Sequence, residues 1–213
     1  MGIMRKILFA TLCLALLAGP AVSSAVAEPS ASVATAPART VIVDFYHRLL
    51  TVMKDGPKLG FKGRYKMLEP AVDRAFAMES MAKLSLGVAS TTLPAAEMTQ
   101  FVKAFRDYTV ANYAGNFTDY SGERFIVGEV SAIPGGAVVV SSKLVPAKGD
   151  PVSLDYVMHR VDGKWGITDV LAEGSISQVA MRRSEFVSVL QRQGFSTLLK
   201  VLAEKAQVLA GKD

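Results

Sequence analysis

Histidine and serine are the side chains of this chain best suited to catalysis, yet their spacing assembles no known catalytic motif. His47 falls on the polar side of a predicted helix and His159 on the outward side of a predicted strand. Neither has a second histidine, a cysteine or an acid at the spacing of a metal site. Ser175 follows Glu173-Gly174 but precedes isoleucine, so the second glycine of a G-x-S-x-G nucleophile elbow is missing. These residues predict no metal site and no serine nucleophile.

Four aspartates keep one enzymatic alternative open. Two carboxylates brought together by the fold could act as a general acid and a general base. The sequence does not say whether Asp44, Asp55, Asp155 and Asp169 meet in this way. A small enzyme of the isomerase or hydratase type, with a cone-shaped cavity, therefore remains an alternative.

The stretch from Glu173 to Arg183 combines serines with paired arginines. Ser175 and Ser177 fall at a predicted helix start, where free backbone N–H groups can hold a phosphate oxygen. Arg182 and Arg183 follow within two turns, as a rim for an anionic head group or an acidic docking surface. The alternative is a capped helix whose arginines lie on a solvated face.

The N-terminal residues have the layout of a secretory signal peptide. A short cationic start precedes an apolar run and the small residues Ala25–Ala27, which predicts cleavage after residue 27. The only cysteine, Cys13, lies in this segment, so thiol chemistry is not expected in the mature protein. Without Arg5 and Lys6, 22 basic residues face 19 acidic ones, a net charge of about +3 that does not favour nucleic acid.

The remaining pattern predicts one domain over residues 40–210, after a flexible lead-in at 28–39. Apolar residues recur at helical spacing from Thr40, break at 54–65, and resume in helices ending near Gly115. Period-two alternation then predicts about four antiparallel strands between 123 and 170, and two helices close the chain. We expect an α+β fold, with helices packed on one face of a curved sheet.

Soft apolar side chains are abundant in this domain, which suggests a ligand cavity between helices and sheet. Methionine adapts to flexible guests, and seven methionines follow the predicted signal peptide. The predicted lipid-sized cavity wall comprises Phe45, Leu49, Met53, Met78, Met81, Phe101, Phe105, Tyr108, Tyr113, Leu154, Tyr156, Met158, Trp165, Ile167 and Phe186.

Three long segments resemble the MlaC family of periplasmic phospholipid-binding proteins, also called the toluene-tolerance family. They are residues 45–76 ("FYHRLLTVMKDGPKLGFKGRYKMLEPAVDRAF"), residues 105–125 ("FRDYTVANYAGNFTDYSGERF"), and the block that begins "WGITDVLAEGSISQVAMRRSEF" at Trp165. Within the family the chain is most similar to the hopanoid-associated HpnM proteins. It departs at Ser90 and Glu97, where the family usually has tryptophan and glutamine.

The resemblance implies a monomeric periplasmic lipid carrier without catalytic activity or cofactor. Such a protein shuttles phospholipid or hopanoid between an inner-membrane ABC-type complex and an outer-membrane complex, which contributes to outer-membrane lipid asymmetry. An accessory adaptor of the hopanoid pathway without lipid cargo is a further alternative. The cargo and the direction of transport are left open.

Overall fold

The computed structural model describes residues 31–211, and only the backbone of residues 31–35. The helices are α1 (Ala31–Lys54), α2 (Gly56–Ala75), α3 (Met78–Leu86), α4 (Ala95–Asn116), α5 (Gln178–Gln193) and α6 (Phe195–Ala210), with a short 3-10 helix at Gly87–Thr91. The strands are β1 (Arg124–Ile133), β2 (Ala137–Val145), β3 (Val152–Val161), β4 (Lys164–Ala172) and β5 (Ile176–Ser177). This order confirms the predicted α+β fold.

The sheet is an antiparallel meander in the order β1-β2-β3-β4-β5. Its first four strands match the predicted ones, and the two-residue β5 adds a short edge. The register shifts between Val127 and Val130 on β1 and between Val157 and Met158 on β3. Such irregularities bend and twist a sheet. The helices α1, α2, α3 and α5 pack on this sheet, while α4 and α6 pack mainly on other helices.

Helix α1 begins nine residues before the predicted start, so much of the segment expected to be a flexible lead-in is helical. Alanine has the highest helix propensity, and the segment before Thr40 is rich in it. Ala38 is fully buried. Arg39 Nη2 also donates a hydrogen bond to the Val127 carbonyl at 3.0 Å. Packing and this bond tie the early turns of α1 to the sheet.

Helix α2 occupies most of the segment that the sequence predicted to be a break. The break is confined to Asp55, and Pro57 then stands in the first turn, where its missing N–H costs no helical hydrogen bond. Gly60, with φ 57°, puts a kink in the helix. The buried Arg64 side chain donates to the Ala114 carbonyl at 2.8 Å and so joins α2 to α4.

The junction between α2 and α3 is held against β4. Ala77 N donates to the Ile167 carbonyl at 2.9 Å. A Cβ on Gly166 would lie 3.0 Å from the Ala77 Cβ, so a glycine permits this close approach. The contact fixes Phe76 above the sheet. Among the described residues, no helix has the length and apolar character needed to cross a membrane.

Candidate functional site

A cavity of about 210 Å³ lies between the helices and the sheet, at the end of β3 and β4 away from their hairpin. We call it the helix–sheet cavity. Its wall contains Tyr46, Leu49, Phe76, Met81, Thr109, Asn112, Tyr113, Phe117, Leu154, Tyr156, Val170, Ala172, Gln178 and Arg182. Apolar and aromatic side chains predominate, and the amides of Asn112 and Gln178 and the Arg182 guanidinium add polar groups.

Part of the predicted wall lines this cavity, with contributions from α1, α3, α4 and β3. The residues placed there are Leu49, Met81, Tyr113, Leu154 and Tyr156. Their contact with a lipid stays a prediction.

A second group of predicted wall residues is packed away from the cavity, in a filled core between α4 and α5. Phe101, Phe105 and Phe186 are fully buried. Phe186 meets Phe101 and Phe105 edge to face, with centroid distances of 5.9 Å and 6.4 Å. Tyr108, next on the same helix, lies 5.2 Å from the Arg182 guanidinium and does not line the cavity. These rings are core because α5 covers the face that the sequence assigned to a ligand.

The remaining predicted wall residues lie behind the cavity or at the far end of the sheet. The Phe45 ring packs edge to face on Phe76 and Tyr113, at 5.3 Å and 5.0 Å, and so supports the wall from behind. None of the following residues lines the cavity: Phe45, Met53, Met78, Met158, Trp165 and Ile167. Met158 and Ile167 are fully buried partners across β3 and β4, and Met53 is also buried.

Three tyrosines, of which Tyr46 and Tyr156 are buried and Tyr113 is partly buried, add hydroxyl groups to the cavity wall. The Tyr46 hydroxyl is hydrogen-bonded to Ser142 Oγ at 2.6 Å, and Ser142 Oγ donates in turn to the Leu154 carbonyl. Burial raises the pKa of Tyr46 to about 12, against a smaller lowering by the Ser142 hydrogen bond. Burial also raises the pKa of Tyr113 and, well above its ordinary value, that of Tyr156. These hydroxyls are therefore neutral at physiological pH.

No carboxylate, imidazole or thiol belongs to the cavity wall within residues 31–211. Asp155 instead accepts a hydrogen bond from Ser142 N at 3.0 Å. His159 Nδ1 is paired with Thr168 Oγ1 at 2.7 Å, outside the cavity. The described part of the chain also contains no cluster of His, Cys, Asp or Glu that could hold a metal ion. The arrangement offers an apolar guest a wall but supplies no acid–base pair.

Ser177, one of the two serines predicted to hold a phosphate, has a structural role. Ser177 caps α5, since its Oγ accepts from Ala180 N at 2.9 Å. Asp169 Oδ1 accepts from Val179 N at 3.0 Å, and Oδ2 accepts from Ser177 Oγ at 2.5 Å. A carboxylate thus already occupies the positive end of this helix. Ser175 is exposed in the preceding turn. These bonds agree with the alternative of a capped helix at Ser177, and a head-group or docking role for the two serines stays a prediction.

The two arginines of the predicted rim point to different places. Arg182 lines the helix–sheet cavity, and its guanidinium lies 5.3 Å from the Phe105 ring centroid. Arg183 is exposed, and its Nε donates to the Leu84 carbonyl near the end of α3 at 2.8 Å. Consecutive helical positions differ by about 100° around the axis, which separates the two side chains. Arg182 is therefore the cation available to a guest in the cavity.

Several cavity residues were missed because each looks like ordinary core or polar surface in the sequence. They are Tyr46, Phe76, Thr109, Asn112, Phe117, Val170, Ala172 and Gln178. The helical spacing of Thr109, Tyr113 and Phe117 did carry a signal, since positions i, i+4 and i+8 share a face. Ser90 and Glu97, the departures from the family pattern, lie outside the cavity wall.

Comparison with known proteins agrees with this geometry. A structure of a phospholipid-binding protein from Ralstonia solanacearum in complex with a phospholipid matches with a TM-score of 0.70. The two chains are 19% identical over 81% of this chain and 98% of the other. A comparison with curated proteins gave no match. The family profile described as "MlaC protein" matches residues 44–204. Since that match spans most of the sequence, the chain belongs to the MlaC family.

Proposed function

We propose that this protein binds a phospholipid or hopanoid in the helix–sheet cavity and carries it through the periplasm. The observation that carries the proposal is the apolar cavity between helices and sheet, in a fold shared with a protein whose structure contains a phospholipid. Its wall lacks an acid–base pair, which favours binding over catalysis. Membership of the MlaC family supports the same role.

The cavity must widen to accept a lipid tail. Its volume, about 210 Å³, is below the roughly 300–1,000 Å³ of most ligand pockets. Its wall combines side chains from the helices with side chains from β3 and β4, so separation of the two layers would enlarge it. We infer that tails enter between the layers while the head group remains near Arg182.

Energetics favour a carrier that loads and unloads at docked partners. Two sixteen-carbon tails contain roughly 30 methylenes, and their burial at about 0.8 kcal/mol each gives on the order of 24 kcal/mol relative to water. That exceeds the practical limit of non-covalent affinity, so release into water would be too slow for transport. Transfer between a membrane complex and an equally apolar cavity is nearly neutral. We therefore propose docking to an inner-membrane ABC-type complex and to an outer-membrane complex.

We propose that exposed apolar side chains on α5 and on the short 3-10 helix contribute to such docking. Met181, adjacent to Arg182, is 58% exposed, and Val88 on the short 3-10 helix is 83% exposed. The groove between that helix and α5 also contains Arg183. Apolar contact area with a charged margin is the usual anatomy of a protein interface.

Native mass spectrometry of protein purified from cells tests the cargo. We expect a co-purified lipid whose extraction identifies it as phospholipid or hopanoid, and uptake of phospholipid from liposomes by the emptied protein. Absence of both would refute the carrier function. The predicted signal peptide lies outside the described residues, and N-terminal sequencing of exported protein would test cleavage after residue 27.

A further inference from the structure

A second cavity, larger than the first, lies at the opposite end of β3 and β4, beside their hairpin. Its volume is about 690 Å³, within the range of ligand pockets. We call it the hairpin-end groove. Its floor is apolar and is formed by Val41, Phe45, Ala71, Ala75 and Trp165.

The Phe45 ring separates this groove from the helix–sheet cavity. Phe45 lines the groove, while Phe76 and Tyr113, on which its ring packs, line the cavity. Phe45 is 2% exposed and so fills the space between the two. A guest in the groove therefore occupies a different site from the proposed lipid cavity.

The rim of the groove has a surplus of positive charge. Arg74, Arg160 and Lys164 face Asp44 and Asp73. Asp73 is already engaged by Arg106, whose Nη2 lies 2.6 Å from its Oδ2. Neither Arg74 nor Lys164 makes an ion pair or a side-chain hydrogen bond within residues 31–211. The three cations therefore face one carboxylate that has no ion pair in the described part of the chain, Asp44, and this excess of positive charge would attract an anionic group.

Trp165 lies at the floor of the groove, next to Arg160 of the rim. Trp165 Nε1 is buried and has no acceptor among the described residues. The Arg160 guanidinium lies 5.0 Å from the centroid of the indole ring. The indole ring and the guanidinium thus lie together at the groove.

We propose that the hairpin-end groove is a second binding site, for an amphiphile with an anionic head group. The alkyl chain lies on the apolar floor beside the Trp165 ring, and the head group meets Arg160 and Lys164 at the rim. This site is separate from the helix–sheet cavity and does not require the carrier function.

The fluorescence of Trp165, the only tryptophan of the chain, reports directly on the groove. Dodecyl phosphate, kept below its micelle concentration, should change the emission saturably. Dodecyl maltoside has the same chain with a neutral head, and inorganic phosphate has the head alone. We expect both to bind at least about tenfold more weakly than dodecyl phosphate, because the maltoside lacks the anionic head group and phosphate lacks the alkyl chain.

Variants locate the binding. The double variant Arg160→Gln/Lys164→Gln should bind dodecyl phosphate about tenfold more weakly, whereas Arg192→Gln, on the exposed surface of α5, should bind it as the parent does. Thermal unfolding confirms that each variant is folded. Equal affinity for the maltoside, or unchanged affinity in the double variant, would overturn the proposal.

A variant that fills the other cavity separates this proposal from the carrier function. Ala172→Phe places a ring in the helix–sheet cavity and should leave the dodecyl phosphate response intact. Loss of the response in this variant would place the ligand in that cavity and refute a second site. If the parent protein shows the fluorescence response to dodecyl phosphate but takes up no phospholipid from liposomes, the carrier function is refuted and the second binding site is supported.

Discussion

Helix α4 has two halves, each with two aromatic residues, that have different roles. In its N-terminal half, Phe101 and Phe105 are fully buried against Phe186 of α5. In its C-terminal half, Tyr113 lines the helix–sheet cavity, together with Phe117 just beyond the helix. The same helix therefore contributes both to a filled core and to a cavity wall.

The difference arises from what lies opposite each half. Helix α5 lies opposite the N-terminal half, and its Phe186 ring fills the space beside Phe101 and Phe105. The second half faces β3 and β4, where Leu154 and Ala172 leave a gap above the sheet. Aromatic residues on one helical face thus indicate burial, and the partner element decides whether they line a cavity.

The largest expected effect is the loss of a ring from the filled half. Phe101→Ala should lower the free energy of unfolding by about 3–5 kcal/mol, because it leaves a cavity in packed core. Phe117→Ala is the matched change beside the existing cavity and should cost about 1–2 kcal/mol, since its ring is only partly buried. Urea denaturation measures both. Equal costs would show that the two halves are packed alike.

The wall of the helix–sheet cavity, to which Tyr46 of α1 contributes, should also be more sensitive to alkaline pH than the filled core. Burial raises the pKa of Tyr46 from 10.0 to about 12, so the folded state keeps a proton that the unfolded state releases. Its contribution to stability is complete below pH 10 and is lost as the pH rises to 12. Tyr46→Phe should therefore reduce the slope of unfolding free energy by about 1.4 kcal/mol per pH unit in that window.

Chemical denaturation across the alkaline range measures this slope, with circular dichroism to confirm that the variant is folded. An unchanged slope in Tyr46→Phe would show that water reaches the hydroxyl in the native state. The wall of the cavity would then be wetter than the structure indicates.

The sequence predicted the layers well because periodicity encodes them. On β3 the buried Tyr156 and Met158 alternate with less buried neighbours, as expected. The helix boundaries were less predictable. Ala38 and Arg64 stabilise turns of α1 and α2 through tertiary packing and a long-range hydrogen bond, which local sequence does not reveal.

The site was harder to predict than the fold. Leu154 and Phe186 are both apolar residues with regular spacing, yet only the first lines the cavity. Their difference depends on how two distant elements meet, to within a few ångströms. The sequence left the serine cap as one of two alternatives for a related reason, because Asp169, which comes from the neighbouring strand, reaches the helix end only in space.

Filling the cavity should abolish lipid uptake with little effect on stability. Ala172→Phe adds a ring where the wall leaves space, so we expect lipid occupancy to fall at least about tenfold. Because the ring fills an existing cavity, the unfolding free energy should change by less than about 2 kcal/mol. Native mass spectrometry after liposome exposure measures occupancy. Ala132→Phe, on an exposed position of β1, is the control and should retain the parent occupancy.

Arg182 joins the two halves, and its replacement should have the smallest effect. Its guanidinium lies over the rings of Phe105 and Tyr108 while the side chain lines the cavity. Loss of the cation–π contact in Arg182→Gln should cost about 0.5–1 kcal/mol of stability. Affinity for an anionic phospholipid should fall by a few-fold, and Arg182→Lys should restore most of it because it keeps the charge.

The neighbouring Arg183→Gln should not change that affinity, since the Arg183 Nε is bonded to the Leu84 carbonyl. An equal loss in both variants would mean that the positive charge of α5 acts as a whole, and that the cavity has no specific contact with the head group.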